Sequence, residues 1–387
     1  MKIAFIGQKG IPSTGGGVEK HVEELAVSLA AKGHSVLAYT RPHYTDKYLR
    51  TYRGVSLVSL PSISLKNLDA ISHTFFAIID LIKRDIDIIH FHGIGPSSLL
   101  LLARIVKPRA RIIGTFHCQD YYHKKWSWFA RTYLKFGEWI LCTKADTTIA
   151  VSHSLAHYAD LTYGKSVTYI PNGVYSSDFL EAKEITKWGL QKGNYILAVS
   201  RLISHKGLHH LIKAFRSVET DKKLVIVGDG SYTDMYVDEV HDLAASDNRV
   251  IMTGAQTGVA LQELFSNAFL FVQPSESEGL SIALLEAMSF ACPVLVSDIP
   301  ENLEAAGNAG SSFICNNVDD LSRKLQELVT SDQLAAMGSA GQERVAKEYN
   351  WLHITKATEN IYEDQLASRV EKQLKHVQTL SRFSTFV

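Results

Sequence analysis

From Lys2 onward, short apolar runs alternate with amphipathic helical stretches, and this alternation restricts the chain to a parallel, doubly wound α/β architecture. Lys2–Ile6, Ser35–Tyr39, Val55–Leu60, Ile86–Phe91, Arg111–Phe116, Thr147–Val151 and Val167–Ile170 read as strands, with helices such as Val18–Lys32 and Leu68–Arg84 between them. A second series follows the polar stretch Tyr175–Asn194: Tyr195–Val199, Lys223–Val227, Arg249–Met252, Phe269–Val272 and Val294–Ser297. At 387 residues the chain exceeds what one hydrophobic core usually supports, so the two series predict two Rossmann-like domains. The expected division is 1–178, 179–365 and a helical tail, 366–387, placed to cross back to the first domain. Ligands of open α/β sheets bind outside the carboxyl ends of the strands, so loops of both halves should face a central cleft.

The formal net charge of zero hides an asymmetry. Met1–Leu180 carries 21 Lys and Arg against 13 Asp and Glu, and the remainder carries 19 against 27. A first half at +8 suits an anionic surface, such as lipid headgroups or a phosphorylated acceptor; solubility is the competing account. Cys118, Cys142, Cys292 and Cys315 show neither zinc-ligand nor disulfide-framework spacing, which fits a reducing compartment. The opening MKIAFIG reads as a strand, too short for a secretory h-region, and no run reaches the roughly 18 apolar residues of a membrane span.

Ser275–Pro300 places Glu278 and Glu286 across a strand-to-helix junction, with Gly279, Leu280 and Ser281 at the turn. The first N–H groups of such a helix favour an anion or a ring of hydroxyl oxygens. Glu278 sits at the rim and Glu286 one to two turns into the helix, where ordinary helix-surface charge is the alternative reading. Gly15, Gly16 and Gly17 precede an amphipathic helix and permit close approach of a ligand, or simply a flexible loop. They stand too far beyond Gly7 for a dinucleotide fingerprint, which argues against a nicotinamide dehydrogenase. Arg201 and Lys206 follow the strand Tyr195–Val199, within reach of a diphosphate or else forming a solvated basic turn. Gly228 and Gly230 bracket Asp229 in a tight turn after the next strand, where a nucleotide could rest.

Taken together, SRL with KG, then GDG, then the two spaced glutamates resemble the retaining glycosyltransferases of family four, which have the GT-B fold. Pro171-Asn172-Gly173-Val174 is similar to that family's interdomain PNGV segment, and His117 to its TxH element. The family continues PNGV with an aspartate where Tyr175 stands here, so position 175 receives no role. The resemblance implies a first domain on the acceptor side and a second that binds the nucleotide sugar. Arg201 and Lys206 would hold the donor diphosphate and offset charge on the leaving group. Glu286 would bind the ribose, and Glu278 with the backbone of Gly279, Leu280 and Ser281 the sugar hydroxyls. Gly16 and Gly17 would approach the donor phosphate, and His117 would stand near the transferred sugar. It further implies a metal-independent enzyme with no cofactor beyond its nucleoside-diphosphate-sugar donor. A hexose or deoxyhexose would pass to a glycan or lipid-linked acceptor, in bacterial surface polysaccharide synthesis. No nucleic-acid partner is expected. A sugar-nucleotide epimerase and a non-catalytic nucleotide-sugar-binding protein are the competing readings.

Three signals remain. Asp85 and Asp87 form a DxD, a metal signature of a different glycosyltransferase fold, but at the amino end of a strand and away from any cleft. His90 and His92 share a strand face without an evident third ligand; His92 could line the acceptor side, against a structural histidine as the alternative. The segment His123–Phe136 mixes Lys124, Lys125, Arg131 and Lys135 with five aromatics. It suits an anionic membrane interface, hence a cytoplasmic enzyme at the inner face of the membrane, or else a core helix with snorkelling lysines.

Overall fold

The computed structural model describes residues 1–65, 68–122, 126–230 and 234–384, with side chains described through Arg369 except Asp234. The first sheet comprises β1 (Lys2–Ile6), β2 (Ser35–Thr40), β3 (Thr51–Tyr52), β4 (Val55–Ser59), β5 (Ile88–His92), β6 (Arg111–Phe116), β7 (Thr147–Ala150) and β8 (Thr168–Tyr169). Its order is β3-β4-β2-β1-β5-β6-β7-β8, parallel except for the β3–β4 pair. The second sheet comprises β9 (Tyr195–Val199), β10 (Lys223–Val227), β11 (Val250–Gly254), β12 (Leu270–Gln273), β13 (Val294–Ser297) and β14 (Ser311–Phe313), in the order β11-β10-β9-β12-β13-β14. Strands such as β1 and β12 are buried on both faces because helices cover both sides, which is why they read as unbroken apolar runs.

Strand order reverses at β1/β5 in the first sheet and at β9/β12 in the second. At such switch points the loops leave in opposite directions and open a crevice. The Gly-rich loop follows β1, His92-Gly93 ends β5, Ser200–Gly207 follows β9, and the stretch from Pro274 to Ser281 follows β12. These four segments therefore stand at the switch points, while His117 and the GDG turn follow the neighbouring strands β6 and β10.

Several elements differ from the sequence expectation. β5 starts at Ile88 because the preceding turn folds onto Lys2: Asp87 Oδ2 accepts from Lys2 N at 2.8 Å, and the Lys2 ammonium pairs with Asp85. The DxD thus belongs to the amino edge of the sheet. β3 and β14 span two and three residues, too few for alternation to register. The final helix runs Trp351–Ser384 and packs on the first domain from its first residue, ahead of the expected crossing at 366. Trp351, Ile354 and Tyr362 are buried with Ile3, Phe5 and Val22, and Tyr362 Oη lies 2.6 Å from His90 Nδ1. Full burial of each such side chain contributes about 1.5–3 kcal/mol, and helical periodicity alone does not say against which sheet it is won. Residues 385–387 of the expected tail lie outside the described residues.

The two crossings between domains are tied together. Val174 N donates to Tyr349 O at 2.7 Å and Trp351 N to Val174 O at 3.3 Å. The PNGV segment and the start of the last helix therefore form one two-stranded hinge.

Candidate active site

Ser281 caps the helix Ile282–Ser289, its Oγ accepting from Leu284 N at 3.3 Å. On the other side of the cleft, Gly16 (φ 102°) caps the helix Gly17–Ala31 without a side-chain acceptor. The two helix starts approach each other: a β-carbon built on Gly17 would lie 4.0 Å from Ile282 Cδ1. Two helix amino termini converging on one space favour a negative charge there. The Gly-rich loop is not slack. Glu19 Oε1 accepts from Lys9 N at 3.2 Å, Glu23 Oε2 from Ser13 N at 2.6 Å, and Tyr44 Oη accepts from Thr14 N while donating to Gly15 O, both at 2.9 Å.

Lys206 Nζ stands 2.5 Å from Glu278 Oε1, with both side chains largely buried. Gln273 Nε2 donates to the same oxygen at 2.7 Å and Ser281 Oγ donates to Gln273 Oε1 at 3.2 Å. Glu278 is therefore held by the end of β12 and the helix cap together. Arg201 is half-buried and, unlike Lys206, has no carboxylate partner among the described residues. Its charge and that of Lys206 both reach Cys118, beside His117 in the first domain. Gly228 (φ 149°) lies against Ser200, whose carbonyl oxygen would be 1.8 Å from an added β-carbon, and Leu202 N donates to Asp229 O at 2.9 Å. The GDG turn thus buttresses the turn that carries Arg201; Gly230 N donates to Asp229 Oδ1 at the exposed end.

Glu286 is half-buried and faces the first domain, where Lys20 is paired with Glu24 at 2.7 Å. Loss of water between the domains pushes its carboxyl up to about 7; Lys20 opposes the rise and Glu24 adds to it. The domains touch at the rim: an added β-carbon on Gly279 would sit 1.6 Å from His117 O. Asn172 closes the same seam, its Nδ2 donating to Leu280 O at 2.8 Å and its Oδ1 lying 2.9 Å from His21 Nδ1.

Beneath the seam lie four buried histidines. His90 is satisfied by Tyr362 and by Thr115 Oγ1 at 2.7 Å, the structural alternative stated above. His92 instead meets other histidines: its Nδ1 lies 3.0 Å from His117 Nε2, and His21 completes the group. The histidines that meet His92 thus come from a helix and from the loop after β6, segments distant from β5 in sequence. Burial pushes His21 down to about 4 and holds His90, His92 and His117 well below the usual imidazole range, so the rings are neutral at pH 7.

The candidates for donor binding and transfer therefore gather along the seam between the two sheets, with Gly230 at its exposed edge, while Asp85 and Asp87 do not join them. Sequence reasoning missed Lys20, His21 and Gln273. Lys20 and His21 sit one helical turn beyond the glycines, which was the available signal; Gln273 gives none from within an apolar strand.

Two doubly wound sheets meeting switch point to switch point define a GT-B glycosyltransferase architecture. Residues 15–177 match the model of Glycosyltransferase Family 4 and residues 181–344 that of Glycosyl transferases group 1. The chain belongs to this family of glycosyltransferases. The phosphatidyl-myo-inositol mannosyltransferase of Mycolicibacterium smegmatis is 25% identical over 375 residues, covering 93% of each chain. The fold is shared with sucrose-phosphate synthase from Thermosynechococcus elongatus (TM-score 0.82, 21% identity, 95% of this chain and 99% of that one). It is also shared with Anabaena HepE solved with UDP-glucose (TM-score 0.76, 19% identity, 96% and 100%).

Proposed function

We propose that the chain transfers a hexose or deoxyhexose from a nucleoside-diphosphate sugar to a glycan or lipid-linked acceptor, with retention of anomeric configuration and without a catalytic metal. The observation that carries this reading is the arrangement at the second switch point. A lysine–carboxylate pair and an arginine with no carboxylate partner among the described residues stand at a helix start, facing a second helix start across the seam. That is a place for a diphosphate with hydroxyl-bearing groups on either side of it.

In this reading Arg201 binds the diphosphate outright and Lys206 bridges it to Glu278, because Lys206 already has a partner. Glu278 and the N–H groups from Gly279 to Ser281 take the sugar hydroxyls; Gly16 and Gly17 allow the phosphates to approach the helix Gly17–Ala31; Gly228 and Gly230 support the nucleotide. Glu286 takes the ribose, and His117 stands at the transferred sugar. The bond from C1 to the leaving phosphate oxygen breaks as the acceptor oxygen bonds C1 on the same face, through an oxocarbenium-like state. The acceptor proton passes to the departing phosphate oxygen. Fixed cationic groups offset the developing negative charge, the work such groups do best where water is excluded.

HepE is described in complex with UDP-glucose, and the M. smegmatis relative is named for a phosphatidylinositol acceptor. The first favours a nucleotide-sugar donor here and the second a lipid-linked acceptor; bacterial surface polysaccharide synthesis at the inner membrane face is the setting we propose. The helix Trp128–Lys144 adds to this: Leu134, Gly137, Glu138, Ile140 and Leu141 face inward, while Trp128, Phe129, Arg131, Lys135, Phe136 and Trp139 are exposed. It is thus neither wholly a core helix nor free, and its outer face suits an anionic interface. Lys124 and Lys125 lie outside the described residues. No helix among the described residues is long and apolar enough to cross a membrane.

Arg201→Ala tests the assignment. Turnover with EDTA present should fall by about 10²–10³, the scale of removing one transition-state donor, with thermal stability retained. Unchanged turnover removes Arg201 from the leaving group, and a strict Mg²⁺ or Mn²⁺ requirement refutes the metal-free reading.

A further inference from the structure

We propose that His21, His92 and His117 form a binding site for one borderline divalent ion of the zinc type, and that its occupancy switches the transferase off. The three imidazoles come from separate elements: the helix Gly17–Ala31, the end of β5 and the loop after β6. Their exposures are 3%, 1% and 6%, so they form a buried cluster and not a surface one. One nitrogen from each lies within 4.8 Å of the others. The 3.0 Å between His92 Nδ1 and His117 Nε2 is close to the about 3.3 Å edge of a tetrahedron built on zinc–nitrogen bonds of about 2.05 Å.

Two further observations point to a ligand. Among the described residues, His21 Nε2 is buried without a hydrogen-bond partner, an unfavourable state for an imidazole nitrogen that a bound cation relieves. His21 Nδ1 is held by Asn172 Oδ1 at 2.9 Å, the outer contact that fixes a ligating histidine in orientation and leaves Nε2 to face an ion. An all-imidazole set selects zinc, copper, nickel or cobalt over magnesium or calcium, which prefer oxygen.

Occupancy would withdraw the His117 ring from the sugar position and bind the helix Gly17–Ala31 to β5. Asn172 links His21 to Leu280 O, so the ion would also stiffen the seam through which donor enters. Inhibition rests on the transferase reading; metal binding does not.

The test is a titration of the metal-stripped full-length chain with Co²⁺, followed by visible ligand-field absorption. One equivalent should bind and be displaced by Zn²⁺. His92→Ala and His21→Gln should abolish the signal, and Asn172→Ala should weaken Zn²⁺ binding by about 10 to 100-fold. His210→Ala, in the separate His209, His210 and Glu276 group, should leave it unchanged. Should a buried-histidine variant fail to fold, imidazole ¹⁵N spectra of the unmutated protein decide: three histidines should shift together on adding Zn²⁺. No binding, or binding lost only with His210→Ala, overturns the site. With the site confirmed, Zn²⁺ should suppress sugar transfer and EDTA restore it; full turnover with the ion bound overturns the switch. A chain that binds Co²⁺ as described yet turns over no donor contradicts the transferase reading and leaves the metal site standing.

Discussion

A β-carbon at Gly279 would lie 1.6 Å from the carbonyl oxygen of His117, so glycine is required there by the opposite domain. Gly279→Ala should leave each domain folded but hold the cleft open by a fraction of an ångström or more. A misplacement of about 1 Å costs about 10²-fold in rate. The expected result is a kcat/KM loss of that order with a melting temperature near wild type; wild-type kinetics would show that the seam does not matter for turnover. Glu286 permits a prediction in pH. Its folded pKa of about 7 stands above the unfolded value of 4.5, so between those values the native state holds a proton that the unfolded chain has released. Native stability therefore falls as pH rises through that window, by on the order of 3 kcal/mol. Glu286→Gln should melt with wild type at pH 4 and above it at pH 8, and parallel melting curves would contradict the buried carboxyl. Glu278 and Lys206 were legible because each stands beside a local turn signal. Their pairing, and the roles of Gln273, Lys20 and His21, were not, because those contacts join segments that only the folded sheets bring together.

At the scale of elements, the strands of both sheet interiors were readable because burial on both faces leaves continuous apolar runs. The short edge strands β3 and β14 escaped because they carry no period and are not flanked by apolar residues on both sides, whereas the equally short β8 was readable from Val167 and Ile170 on either side of it. The helix Trp128–Lys144 was read correctly as basic and aromatic, but which side chains face outward depends on its packing. Gly137 lies against Ile94 O, where an added β-carbon would approach to 2.0 Å, and this fixes the rotation that exposes Trp128 and Phe129. Trp128→Ala combined with Phe129→Ala should lower co-sedimentation with phosphatidylglycerol vesicles several-fold and leave turnover on a water-soluble acceptor unchanged. Equal sedimentation of variant and wild type would assign this face to another use.

For the whole molecule, the basic first half and acidic second half correspond to the two domains, so the charge asymmetry separates the face proposed for the acceptor from the one proposed for the donor. Domain number and the presence of a cleft were legible from length and alternation. The return of the last helix from Trp351 was not, because an amphipathic helix can satisfy either sheet. Both crossings meet at Val174 and Trp351, where backbone hydrogen bonds tie the two segments together. The central claim is that the cleft binds a nucleoside-diphosphate sugar between Arg201, Lys206 and Glu286. It is tested most directly by thermal-shift titration with UDP, GDP, dTDP and ADP sugars in EDTA, comparing the native chain with Glu286→Ala. Stabilisation by the sugars of one nucleotide, lost in the variant, is the expected result; stabilisation by none of them, or equal stabilisation of both proteins, would overturn this donor site.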